Sequence, residues 1–227
     1  MMQCPQILEK EPDPVELESD DEEENNETLS ALFRKSKLTD ITIVVGEEEL
    51  HFSKYPLMEA STVLTKLIEE SENQSRIKLE DVEYDDLVLF LACLHPKQLM
   101  SVTDENLESV ATLAHLFQHV GVLKKCEEYI VQQFEMTRDT KDGMYPHFFF
   151  HLRVADSCGL REAVQAGISS ETVKKAYYSS KYLGQNSHLE GYKDNEDFEE
   201  LSLETKFDIL RIRLEKAEAM INPKIPY

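Results

Sequence analysis

The apolar positions change period several times between residues 29 and 134, and each change predicts an element. Leu29, Leu32 and Phe33 recur at i, i+3 and i+4, the stripe of a short amphipathic helix. Two turns are marginal alone in water, so this helix must dock on its own domain or on a second chain. Ile41-Thr42-Ile43-Val44-Val45 is β-branched, Gly46 opens a turn and Leu50-His51-Phe52 returns, which predicts a hairpin over residues 40–53. Pro56 suits a first helical turn, and Leu57, Ala60, Val63, Leu64, Leu67 and Ile68 follow on one face of a single helix. Arg76-Ile77-Lys78-Leu79 alternates as a third strand. Leu87 to Leu94 is uninterrupted by polar residues and contains Ala and Cys, which predicts a helix buried on all sides, stopped by Pro96. Thr103 caps a helix with Leu107, Val110, Ala111, Ala114 and Phe117 inward, and a further helix runs from about Val122 to Phe134.

Beyond a linker at residues 135–146, ending at Pro146, the pattern is helical throughout. His147 to Ala155 and Leu160 to Ala166 form a helix pair broken near Gly159. A loop bearing Ser, Gly and Asn spans Ser179 to Asn195. The last helix, capped by Ser202, carries Leu203, Phe207, Leu210, Leu214, Ala217 and Ile221 at heptad spacing. This stripe is read as packing on the preceding helices, with a partner-binding helix as the alternative. Residues 113–126 and 154–167 share apolar positions, but two copies do not make a repeat architecture. The fold class is therefore α/β (α+β): a small sheet flanked by helices, then an all-helical C-terminal extension over residues 147–227.

Charge changes the picture at the amino terminus. Of the net −21, residues 1–28 hold −10, eleven acids against Lys10. With Pro12, Pro14 and an acidic run from Glu16 to Glu24, this segment has too few apolar groups to pack and is expected to be a disordered acidic tail. Ser19, followed by acids, is a candidate phosphorylation site. The remaining −11 still repels phosphate backbones and anionic lipid, which argues against nucleic acid and membrane partners. No apolar run reaches the ~18 residues of a membrane span, and the start of the chain lacks signal-peptide character. Cys4, Cys93, Cys126 and Cys158 are scattered, consistent with reduced thiols and a cytoplasmic or nuclear location.

Candidate chemistry is sparse. The chain lacks the glycine-rich phosphate loops and the nucleophile elbow of hydrolases. His115 with His119, and His147 with His151, sit at i, i+4, but neither pair has the Glu of a zinc-protease motif. Cys126 reads as a small core residue. No catalytic residue, metal ligand or cofactor is expected, and the protein is read as a non-enzyme.

The order hairpin, helix, strand, buried helix, helix pair resembles the BTB (POZ) domain over residues 29–134. Leu38-Thr39-Asp40-Ile41-Thr42-Ile43-Val44-Val45 is similar to the opening of that family, and His51-Phe52-Ser53-Lys54-Tyr55-Pro56-Leu57 to its second strand and turn. Ser61, Leu64 and Leu67 fit its next helix, and Ile77-Lys78-Leu79-Glu80-Asp81-Val82 its third strand and exit. His95-Pro96, Thr103-Asp104-Glu105-Asn106-Leu107, Leu113-Ala114 and Phe117-Gln118 resemble the BTB branch abundant in nematodes, here without a MATH or kelch module. Two positions depart from the pattern: Leu64 stands where Phe is usual, which predicts local repacking, and His95 where Tyr is usual, which brings a polar edge to a buried region.

The resemblance implies a protein–protein interaction module. Family members dimerise through the helix before the first strand, so it implies a homodimer interface at Leu29, Leu32 and Phe33. Burying these would contribute about 5–8 kcal/mol of gross transfer before association costs. Many members bind the amino-terminal region of cullin-3 through an apolar residue, any residue, then Glu, a form matched by Ile68-Glu69-Glu70. The helices after 147 resemble the BACK-like extension that enlarges that surface. The implied function is a dimeric substrate adaptor of a cullin-3 ubiquitin ligase with an unknown substrate protein; the alternative is a self-association scaffold without ligase activity.

Overall fold

The computed structural model describes residues 29–227 except 72, 96–98, 137–146, 171–172, 174–194 and 222–227, together with the backbone alone at a few positions near the end of the last helix. The acidic tail, Ser19, Pro96, most of the expected linker and all of the expected loop at 179–195 except Asn195 lie outside the described residues.

A 3-10 turn, Ala31–Phe33, leads into β1 (Ile41–Val45) and β2 (Glu48–Phe52). The two strands pair antiparallel from Ile41 opposite Phe52 to Val45 opposite Glu48, so Ile41, Ile43, Val45, Leu50 and Phe52 all face the core. After the helices α1 (Lys54–Glu59) and α2 (Thr62–Glu70), β3 (Arg76–Leu79) joins β1 in parallel, giving the strand order β2-β1-β3. The expected single helix over residues 56–68 is thus two. Ser61 divides them: extended at its own backbone, it accepts the Leu64 N–H on Oγ at 3.0 Å and so caps α2.

Helix α3 (Tyr84–Leu94) is buried on nearly every side, with Phe90, Leu91, Ala92 and Cys93 wholly enclosed. That accounts for a run of apolar residues with no polar stripe. Helix α4 (Asp104–Leu116) starts from a capping box in which Asn106 Oδ1 accepts the Thr103 N–H at 2.9 Å. It pairs with α5 (Val120–Met136). Glu135 and Met136, assigned to the linker by pattern, form the last turn of α5.

Helices α6 (Phe148–Ser157) and α7 (Arg161–Ile168) form a second hairpin, turned at Gly159 with φ +68°. Gly167 brings α7 close: a Cβ there would meet Leu152 Cδ1 and the Phe134 ring at 3.0 Å. Two last helices follow, α8 (Glu196–Glu200) and α9 (Leu203–Ile221). One continuous core runs from Phe33 through α3, α4 and α5 to Leu152, Ala163 and Ile209, so the extension packs on the α/β part rather than hanging from it.

Helix α9 corrects one expectation. It docks through Thr205, Ile209 and Ile212, whereas Leu203, Phe207, Leu210 and Leu214, expected to pack inward, are 84%, 66%, 49% and 61% exposed. Local capping sets this rotation: Asp156 accepts from Ser202 N–H at 2.6 Å and from Thr205 Oγ1 at 2.7 Å, turning that face of the helix inward.

Candidate interaction surfaces

The histidines and cysteines of a type used in chemistry serve mostly in packing. His119 is 3% exposed; its Nδ1 accepts from Val122 N–H at 3.3 Å, which leaves Nε2–H to donate to Pro56 O at 3.2 Å. Both ring nitrogens are thereby occupied in the neutral imidazole. His151 is fully buried, with Nε2 2.7 Å from Asp104 Oδ1, and the same oxygen accepts from Tyr129 OH at 2.6 Å. Burial pushes the His151 pKa down against the pull of Asp104, so at neutral pH this contact is a hydrogen bond from neutral imidazole rather than an ion pair. Burial raises the Asp104 carboxyl, but the hydrogen bonds from Tyr129 and His151 and the nearby histidine charges outweigh it and hold the group below its ordinary value. Cys93 and Cys126 are wholly buried, and burial raises their thiols to about 11 and about 12, far from the thiolate that nucleophilic work needs. An open groove of about 580 Å³ beside α5 is lined by Met100, Val102, Lys125, Tyr129 and Gln132. Its Lys125 amine donates to Cys93 O and its Tyr129 hydroxyl to Asp104.

The surfaces that remain are suited to other proteins. At the amino-terminal end, Phe33 is 1% exposed and packs its ring against both Phe52 and His95, at centroid distances of 5.9 and 6.0 Å. His95 is thus an aromatic partner at the end of α3, which accounts for an imidazole in a buried region. Leu29 and Leu32 are half-buried against the same core. Of the three residues expected at a dimer contact, Phe33 anchors the turn to its own domain, and only Leu29 and Leu32 keep surface to offer.

A second surface forms where the α1–α2 turn meets the α4–α5 turn. Val120 N–H donates to Ala60 O at 3.1 Å, and the Ser61 hydroxyl donates to Phe117 O. On the outside of this junction Tyr55, Leu67, Leu116 and Val120 are 69%, 38%, 51% and 67% exposed. Glu69 and Glu70 stand exposed at the other end of α2. Ile68 is 2% exposed and part of the core, so it holds α2 in place while Glu70 stands in solvent. Helical phase explains the split: Leu64 and Ile68 share the inward face, which leaves Leu67 and Glu70 turned away. A pattern search that pairs Ile68 with Glu70 misses Leu67, Leu116 and Val120, because exposure depends on the α4–α5 turn 50 residues away.

Residues 29–134 match the family model of the BTB/POZ domain. This part of the chain is a BTB/POZ domain. Along 102 residues the protein is 24% identical to BTB and MATH domain-containing protein 15 of Caenorhabditis elegans, a match covering 44% of this chain and 37% of that relative. A search of solved structures finds the BTB domain of human gigaxonin, at 20% identity and a TM-score of 0.36, over 57% of this chain and 99% of that one. The BTB/POZ domain is a protein-interaction fold. Here it carries the half-buried pair at its start, exposed apolar side chains about the α4–α5 turn and exposed carboxylates at the end of α2, with α6 to α9 packed on it.

Proposed function

We propose that the protein is a homodimeric substrate adaptor of a cullin-3 ubiquitin ligase. One observation supports this above others: Leu67, Glu69 and Glu70 on α2 and Leu116 and Val120 at the α4–α5 turn all lie exposed on the BTB/POZ domain. Exposed apolar side chains are desolvated with gain by a complementary partner. Cullin-3 contacts the segment Ile68 to Glu70 and the α4–α5 turn, with Ile68 supporting from within and Glu70 reaching out. A second copy packs on Leu29 and Leu32. The substrate binds outside the domain, through the acidic residues 1–28 or the helices after 147.

Binding of the full chain to the amino-terminal region of cullin-3 tests this reading. Val120→Asp, at an exposed site where the fold is indifferent, is expected to weaken binding at least tenfold, and Glu70→Ala by about 1–3 kcal/mol. Unchanged affinity in both variants removes the ligase reading, and a dimer that ignores cullin-3 altogether is a self-association scaffold.

A further inference from the structure

The exposed side of α9 is apolar. Leu203, Phe207, Leu210 and Leu214 follow one another at steps of four, three and four residues, and all four are exposed. In heptad terms Leu203 and Leu210 take d positions and Phe207 and Leu214 take a positions; in sequence, Ala217 and Ile221 continue the register. The inward residues Thr205, Ile209 and Ile212 fall at f, c and f, on the far side from this seam. The domain therefore holds the helix by its back. A helix already folded on its domain has met the nucleation cost that makes short isolated helices poor partners.

Charge identifies the occupant. The chain carries −21, yet residues 203–221 hold four acids and four bases, so this helix is neutral on an acidic molecule. A second copy meets net repulsion elsewhere but none in the charge of this helix. Direction follows from the flanks. In a parallel, in-register pair, Arg213 at g faces Glu218 at e of the other copy. Lys206 faces Arg211, but each is neutralised within its own chain, Lys206 by Glu199 and Arg211 by Asp208 and Glu215. An antiparallel pair sets Glu204 against Glu218 of the other copy, two like charges, and loses the contact between Arg213 and Glu218.

We propose that the Leu203–Leu214 face of α9 is a self-association seam that pairs in parallel with α9 of a second copy. The contact is separate from the one at Leu29 and Leu32, and it is read at α9 itself. In the full chain carrying Cys4→Ser, where the cysteines at 93, 126 and 158 are buried, Leu210→Cys is expected to oxidise to a disulfide-linked dimer. Asp208→Cys, at b on the flank, is expected to stay monomeric on a non-reducing gel. In sedimentation without cross-linking, Leu210→Glu with Leu214→Glu should raise the dissociation constant of self-association at least tenfold. No cross-link at 210, equal cross-linking at 208 and 210, or an unchanged dissociation constant in the Glu variant would each overturn the proposal.

Discussion

At the scale of the residue, several side chains do work that their type alone conceals. Ser61 is 2% exposed, caps α2 and closes the α4–α5 turn with one hydroxyl. Ser61→Ala leaves both the Leu64 N–H and the Phe117 carbonyl without that partner, and denaturant unfolding should show a loss of about 1–3 kcal/mol. His151 makes stability depend on pH. Its folded pKa lies below its unfolded value near 6.5, so on acidification the unfolded chain takes up the proton first. Stability from this group is full above that value and falls as the pH drops through it toward the folded pKa. Unfolding followed between pH 7 and pH 5 is expected to weaken in the wild type and to show a flatter slope in His151→Gln; identical slopes would mean the histidine is not the cause.

At the scale of the element, what could be read from the sequence was set by local periodicity. The hairpin, the alternating β3 and the all-round apolar α3 were legible because each carries its own period. The break at Ser61 was not, since Leu57, Val63, Leu64 and Ile68 keep one helical phase across it. The face of α9 was misread for a related reason: heptad spacing signals a partner helix without saying which one, and Asp156 turns the other side inward. Phe33 shows the same limit, as spacing alone does not reveal that its ring packs on Phe52 and His95 of its own domain. The dimer test should therefore leave Phe33 intact. Leu29→Asp with Leu32→Asp is expected to weaken self-association while the chain still unfolds cooperatively, and an unchanged dissociation constant would exclude this contact. The junction between domain and extension has its own test. Arg153, 16% exposed at its side chain, bridges Glu108 on α4 at 2.7 Å to Asp197 at 2.7 Å ahead of α9. Arg153→Ala should lower stability by about 1–2 kcal/mol, a figure reduced because both carboxylates remain partly in solvent.

At the scale of the whole molecule, a BTB/POZ domain and a helical extension share one core, and the recognisable surface lies on the domain. The motif form of Ile68 to Glu70 is local in the sequence, whereas the exposed apolar residues Tyr55, Leu67, Leu116 and Val120 stand on four elements. Self-association and cullin-3 binding are both read by one measurement: light scattering of the full chain, alone and mixed with the amino-terminal region of cullin-3. A dimer that gains mass to a two-to-two complex is the predicted result. A species whose mass is unchanged by micromolar cullin-3 would contradict it.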